Sequence, residues 1–285
     1  MSNIQVIKTP SEMSAWSKAA RARGERIAFV PTMGALHAGH VSLLSAAHEH
    51  GERVVLSIFV NPTQFGPNED LARYPRDLDG DLAKAAGAGT DVAFVPSAED
   101  MYPPDAQTFI EVREVSKGLC GERRPGHFIG VATVVAKLFG IVRPHVALFG
   151  EKDFQQLAVI RRMALDLNMP VEIIGCPTVR EPDGLAMSSR NAYLSAGDRK
   201  RALAISQGLS AARALFAKGA RSAAALVDVA LAIIQPNVDR VDYVEIRAAD
   251  SLRAFGPTDP IDRPAVLLAA VFVGSTRLID NMRVG

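Results

Sequence analysis

The chain has 285 residues, enough for one large domain or two modest ones. Hydrophobic residues make up 48% and charged residues 22%, which excludes a disordered chain and supplies the apolar material of a core. Lys and Arg total 32 against 31 Asp and Glu, so there is no basic surplus to neutralise a nucleic-acid backbone, although a local basic pocket for one small anion remains open.

From Met1 to Gln5 there is no basic region followed by an apolar run, so no signal peptide is expected. Thr9-Pro10-Ser11-Glu12 predicts a helix start: Thr as N-cap, Pro at the first helical position, Glu three residues on closing a capping box. Gly24 ends that helix. Ile27 to Val30 is a short apolar run, as expected of a strand buried on both faces. Val41 to Ala47 follows as helix. Then come Val54 to Val60 as strand, Asp77 to Ala86 as helix, Val92 to Val95 as strand, Val131 to Val142 as helix and Val146 to Phe149 as strand. Phe154 to Leu167 is helix, stopped by Asn168 and Pro170, and Val171 to Ile174 is a fifth strand. Short buried strands alternating with helices predict an α/β fold: a Rossmann-like, doubly wound parallel sheet whose ligand sits beyond the carboxyl ends of its strands.

The pattern changes at Glu181-Pro182-Asp183-Gly184, a turn signal. Two helices, Ala196 to Lys218 and Ala220 to Ile234, precede strands at Val241 to Arg247, Ala265 to Val273 and Thr276 to Met282, the last two joined by Gly274-Ser275. The expected organisation is thus residues 1–180 as a Rossmann-like domain and 181–285 as a smaller α+β domain. Cys120 and Cys176 have neither C-x-x-C nor zinc spacing, which excludes a disulfide framework and fits a reducing cytosol. No apolar run is long enough to span a bilayer.

Chemistry concentrates after the strands. Pro31-Thr32-Met33-Gly34-Ala35-Leu36-His37-Ala38-Gly39-His40 joins the first core strand to a helix expected to start near His40. Its free N–H groups and dipole suit an anion, and the imidazoles of His37 and His40 suit charge developing at phosphorus, the plainer alternative being two His that cap a helix start or sit in solvent. Gly150-Glu151-Lys152-Asp153 follows the fourth core strand. The Lys152 ammonium there suits a polyphosphate, and Asp153 suits an N-cap. Met187-Ser188-Ser189-Arg190-Asn191 offers two hydroxyls and a guanidinium.

Asn61-Pro62-Thr63-Gln64 and Gln156 bring amides suited to a hydroxy acid. Gly121 to Phe128, with Arg123, Arg124 and His127, reads as a Gly-rich basic loop whose arginines face either solvent or an anion. Asp77, Asp79 and Asp81 are explained equally well as solvated acids at a helix start or as carboxylates near a strand end. His48 and His50, near a helix C-terminus, read as structural. The absence of Walker A, G-x-G-x-x-G and G-x-S-x-G patterns argues against P-loop kinases, dinucleotide oxidoreductases and serine hydrolases.

H-x-G-H followed by a Ser-rich basic loop resembles the nucleotidyl-transferring superfamily that includes class I aminoacyl-tRNA synthetases. The flanks narrow this. Pro31 to His40, Asn61 to Phe65, Arg124 to Phe128, Phe149 to Leu157 and Met187 to Asn191 occur in the order of the pantothenate synthetase (pantoate–β-alanine ligase) family and resemble its motifs. Arg190 stands where K-M-S-K-S loops have Lys, a departure that family shares. His145 stands where the family leads one to expect an acidic residue, and no function is attached to it.

The resemblance implies an ATP-dependent ligase that joins pantoate to β-alanine through pantoyl adenylate, releasing AMP and pyrophosphate in the synthesis of pantothenate and, from it, coenzyme A. It implies ATP contacts from Met33, Gly34, Ala35, Leu36, His37, Ala38, Gly39 and His40. Further ATP contacts are implied at Gly150, Glu151, Lys152, Asp153, Val179, Met187, Ser188, Ser189 and Arg190. His40 is implied as proton donor with His37 its partner, and Gln64 and Gln156 as grips on pantoate, Gln64 also near β-alanine. Asn61 joins the substrate set, and Lys152 and Arg190 join the histidines as catalytic groups. Mg²⁺ with the polyphosphate, a cytoplasmic location and a homodimer are also implied; metal ligands are not. A nucleotidyltransferase acting on a phosphate ester is the alternative within the superfamily, disfavoured by the amide-rich substrate side. A non-catalytic nucleotide-binding regulator is the alternative of another class.

Overall fold

The computed structural model describes residues 4–67, 69–256 and 258–285; Met1 to Asn3, part of the segment read for a signal peptide, lie outside the described residues. The chain divides into two units. The first takes the chain to Lys117, then Arg124–Glu151 and Val159–Pro177; the second takes Gly118–Arg123, Lys152–Ala158 and Thr178 onward.

In the first unit, β1 (Gln5–Ile7), β2 (Ile27–Thr32), β3 (Arg53–Ile58), β4 (Val92–Phe94), β5 (Val146–Gly150) and β6 (Glu172–Cys176) form one sheet in the order β1-β4-β3-β2-β5-β6. Every pairing is parallel. The chain runs outward from β2 through β3 to β4, then crosses back to place β5 on the other side of β2. The order therefore reverses between β2 and β5, and the carboxyl ends of those strands, Thr32 and Gly150, flank the switch point where an open parallel sheet binds its ligand.

Sequence alternation dictates the two layers. Ala28 and Val30 of β2, with Leu56 and Leu148, pack on Leu43, Leu44 and Ala47 of α2 (Ala38–Ala47) and Ala85 of α3 (Leu78–Gly87). Phe29, between them, meets Phe139 of α6 (His127–Val142), which follows the short helices α4 (Ala98–Met101) and α5 (Leu119–Arg123) along the chain, edge-on at 6.4 Å. Helix α1 (Pro10–Ala22) packs beside α6 and carries the expected capping box between Thr9 and Glu12. The fold is thus doubly wound, as the alternation predicts. Strand β1 is additional: at three residues it is too short to show a period.

Two local expectations are corrected. Gly121 to Phe128 is not a loop along its length. Leu119–Arg123 is a short helix and α6 begins at His127, four residues before the apolar run at Val131, after Gly126 takes a left-handed φ of 82°. Asp81 is not solvated; it is 1% exposed. His145 is structural: at the amino ends of the strands its Nδ1 accepts from the Ile27 N–H (2.9 Å), tying β5 to β2. His48 caps the carboxyl end of α2 and meets the Ala88 carbonyl through Nε2.

The second unit contains an antiparallel sheet of β7 (Arg240–Ala248), β8 (Ala265–Val273) and β9 (Thr276–Val284), the last two joined by the expected turn at Gly274-Ser275. Helices α8 (Ala196–Ala217) and α9 (Ala223–Ile234) cover it, with Ile205, Leu209, Leu226 and Ile234 buried against Leu267 and Val271. Both cysteines are free and buried.

Candidate active site

The segment leaving β2 is held in a conformation that ordinary sequences avoid. Gly34 and Ala35 both have positive φ, 84° and 50°. Side-chain carbons rarely tolerate this, so the turn needs an anchor. The anchor is Asp81 of α3: Oδ2 accepts from the Ala35 N–H (2.8 Å) and Oδ1 from the Leu36 N–H (2.6 Å). A Cβ on Gly34 would lie 2.9 Å from that Oδ2, so glycine is required by space as well as by φ. The sequence hint was an acid at the first turn of a helix; its burial was not legible there.

Helix α2 starts at Ala38, two residues before the expected start, because His37 is its N-cap. His37 Nδ1 accepts from the Gly39 N–H (3.1 Å), and His40 Nδ1 accepts from the His37 N–H (3.3 Å). The His40 N–H also donates to the His37 carbonyl at 2.8 Å. The first amides of the helix are therefore partly spent within the motif rather than all offered to an anion. This fixes something more useful. A ring nitrogen that accepts from an amide carries no proton, so each neutral imidazole keeps its proton on Nε2. The two rings stack with centroids 4.1 Å apart. The capping role and a donor role are thus compatible: Nδ1 serves the helix, and Nε2–H remains chemically a donor.

Beyond β3, Pro62–Gln64 is a single 3₁₀ turn. Asn61, 1% exposed, caps it through Oδ1, which accepts from the Thr63 N–H (3.3 Å) and the Thr63 hydroxyl (3.0 Å). Asn61 Nδ2 donates to the carbonyl of Gly130 (3.1 Å) and to Gln64 Oε1 (3.2 Å). Gln64 Nε2 in turn donates to Met33 Sδ at 2.9 Å. One amide network therefore joins the expected pantoate residues to a residue of the expected nucleotide segment. Gly130 makes this possible: a Cβ there would lie 2.4 Å from the Thr63 carbonyl oxygen. Arg124 is half-buried and does not extend into open solvent; it pairs with Glu69, Nε to Oε1 at 2.7 Å. Arg123 is exposed.

After β5, Glu151–Asp153 is a 3₁₀ turn that intervenes before α7 (Phe154–Asp166), so Lys152 lies in that turn rather than at the helix start. Asn281 of β9 donates through Nδ2 to the Lys152 carbonyl (2.7 Å). Gln155 and Gln156 separate in role. Gln155, 4% exposed, spends its amide on Cys120 N–H (3.0 Å) and the Gly118 carbonyl (3.3 Å), whereas Gln156 is half-buried.

Val179 and Met187, eight positions apart in the chain, meet because residues between them fold into a tight hairpin: Met187 N–H donates to Val179 O (3.0 Å) and Glu181 N–H to Leu185 O (2.8 Å). Arg180 fastens this hairpin to β9 through both oxygens of Asp280, at 2.7 and 2.9 Å. The Ser188 hydroxyl accepts from the Arg190 N–H (3.3 Å), starting the turn Ser189–Tyr193. Asn191 Nδ2 ties that turn to Glu181 Oε1 (2.8 Å) and Ala186 O (3.0 Å). Arg199 pairs with Glu181 and Asp183; its bond to Glu181 is the main cause holding that carboxyl below its ordinary range.

Asp280 and Asn281, 4% and 6% exposed, are the residues sequence reading missed. The available signal was an adjacent Asp-Asn pair between Ile279 and Met282 in a strand of mixed polarity. Buried polar groups are costly unless bonded, so such a pair marks something held.

An open parallel sheet whose switch point carries oriented imidazoles and a helix N-terminus is the arrangement of a class, the α/β proteins that bind a phosphate-bearing ligand. Comparison with known proteins makes the class specific. The model of the family described as pantoate-beta-alanine ligase matches residues 5–283. A pantothenate synthetase of Myxococcus xanthus is 54% identical over 281 residues, covering 98% of this chain and 96% of that protein. The crystal structure of pantothenate synthetase from Thermus thermophilus matches with a TM-score of 0.90 at 43% identity, over 98% of this chain and 99% of that one. A pantoate-beta-alanine ligase from Francisella tularensis, solved in complex with beta-gamma ATP and beta-alanine, matches at TM-score 0.82 and 33% identity, over 98% and 97%. The chain belongs to the pantoate–β-alanine ligase family, and its activity is the joining of pantoate to β-alanine.

Proposed function

We propose that the condensation is driven by ATP and runs through an acyl adenylate. The pantoate carboxylate attacks the α-phosphorus of ATP and pyrophosphate leaves, giving pantoyl adenylate. The amine of β-alanine attacks the acyl carbon and AMP leaves, giving pantothenate. The observation that carries this reading is the His37–His40 pair at the switch point, with both Nδ1 atoms committed to backbone amides. Two Nε2–H donors of fixed tautomer suit oxygens whose negative charge grows as phosphorus is attacked. No covalent nucleophile is required, and binding plus orientation supply much of the effect.

The remaining roles follow the local structure. His40 donates toward the phosphate oxygens, with His37 as its partner. The backbone from Met33 to His40, held by Asp81, and the segments Gly150 to Asp153, Val179 and Met187 to Arg190 contact the nucleotide. Lys152 and Arg190 bring positive charge to the polyphosphate. Gln64 and Gln156 hold pantoate, Gln64 also lies near β-alanine, and Asn61 belongs to the set by orienting Gln64. Residues 1–180 serve as the ATP- and pantoate-binding domain, and 181–285 as the domain carrying the Ser-Ser-Arg loop.

Mg²⁺ belongs to the ATP. It supplies charge neutralisation to the polyphosphate; among the described residues no group of three or more His, Cys, Asp or Glu is gathered that could hold a metal ion. A cytoplasmic homodimer completes the reading, supported by family likeness. Among the described residues no helix is long and apolar enough to cross a membrane.

The test is partial exchange and isotope transfer. Pantoate alone should support exchange of labelled pyrophosphate into ATP, and oxygen-18 in the pantoate carboxylate should appear in AMP after full turnover. Unlabelled AMP, or ADP and phosphate as products, would refute the adenylate.

A further inference from the structure

We infer that Arg124 and His127 are positioning residues that set Gln64 for pantoate through its main chain. The inference rests on Gln64 contacting pantoate, as proposed above. Arg124 is the hub. Its guanidinium meets both oxygens of Glu69, donates through Nη1 to His127 Nε2 (2.9 Å) and through Nη2 to the Gln64 carbonyl oxygen (3.3 Å).

Arginine is always a donor, so His127 Nε2 must accept and the ring's proton must sit on Nδ1. That Nδ1 is 2.8 Å from the Gln64 carbonyl oxygen and donates to it. The charge of Arg124 thus selects the one tautomer of His127 that can hold Gln64. Two donors converge on one carbonyl, while Asn61 and Met33 hold the side chain of the same residue.

The setting is buried: His127 is 8% exposed and Gln64 also 8%. Burial pushes the Glu69 carboxyl up, and the bonds and charge of Arg124 more than offset this, leaving it below its ordinary range. Glu69 therefore neutralises Arg124 and fixes its fork, so the guanidinium orients rather than binds an anion. The backbone of Gln64 cannot shift freely in response to a substrate, because Gly130 of α6 abuts the Thr63 carbonyl just before it. Small errors in such placement are costly for a residue that reads a small molecule by hydrogen bonds.

The test compares four proteins with the wild type: His127→Leu, His127→Asn, Gln64→Leu, and the double variant Gln64→Leu with His127→Leu. His127→Leu should lower kcat/KM for pantoate about tenfold while KM for ATP stays within about twofold. His127→Asn, whose Nδ2 can donate from near the Nδ1 position, should recover to within about threefold of wild type. The double variant should be no worse than Gln64→Leu alone, because His127 acts through that residue.

Losses that multiply in the double variant, an Asn variant as impaired as Leu, or pantoate and ATP parameters that worsen together would overturn the inference. A wild-type pantoate response in Gln64→Leu would instead show that the substrate role given to Gln64 is wrong. An impaired Gln64→Leu beside a normal His127→Leu would sink only the positioning role.

Discussion

The sharpest test of how the nucleotide segment is built is Asp81→Asn. The carboxylate accepts from two adjacent backbone amides, Ala35 at 2.8 Å and Leu36 at 2.6 Å, from a position 1% exposed. Asparagine has nearly the same shape but one acceptor. It can serve one amide as a neutral acceptor, and it presents NH₂ to the other, leaving a buried donor facing a donor. A hydrogen bond to a charged group is worth about 1.5–3 kcal/mol and a neutral one about 1 kcal/mol, so the exchange should weaken the local structure by about 2–4 kcal/mol. The positive φ at Gly34 and Ala35 adds to the drive for the segment to relax.

Because the effect is local, amide hydrogen exchange is the assay. Amides of Ala35 and Leu36 should lose protection by at least about 30-fold, the equivalent of roughly 2 kcal/mol. Apparent affinity for ATP should fall alongside. Asp79→Asn is the control, since Asp79 lies exposed in the first turn of the same helix. Unchanged protection across residues 33–41 in Asp81→Asn, with ATP affinity intact, would refute the anchoring role.

His40→Ala should slow adenylation by about 10²–10³-fold in single turnover, the scale of one lost transition-state donor. His40→Asn should be nearly as slow, since its amide oxygen can still accept from the His37 N–H but has no counterpart to Nε2–H; fast adenylation by the Asn variant would confine His40 to capping. His145 makes stability depend on pH in a defined direction. Burial, then the charges of Arg21 and Arg26, hold its pKa below 6.5, and Nδ1 is occupied by the Ile27 amide. Below pH 6.5 the unfolded chain takes up a proton that the folded chain resists. Stability is therefore unaffected by this group above that value and falls with pH down to the lowered pKa. His145→Asn should shrink the difference in urea midpoint between about pH 7.5 and about pH 5.5, and an equal difference in both proteins would exclude the assignment.

The division between what the sequence disclosed and what it did not follows from chain separation. The strands were legible because burial on both faces writes itself as consecutive Val, Ile, Leu and Phe, and the switch-point segment because its chemistry is crowded into ten adjacent residues from Pro31 to His40. Strand β1 was too short to carry a period, and α6 began early because Gly126, not the apolar run, decides its entry.

The residues that hold the proposed ligand contacts in place were the least legible. Asp81 acts on Ala35 and Leu36 from 46 and 45 positions away, His127 on Gln64 from 63, and Asn281 on Lys152 from 129. A side chain that meets a ligand must be polar in a loop, where that stands out. A side chain that holds the loop from another element looks like any helix-start acid or strand polar residue until burial is known. The physical rule that recovers such residues is therefore one of cost: Asp81, His127, Asp280 and Asn281 are all nearly inaccessible, and a polar group is retained there only when its bonds are satisfied and something depends on them.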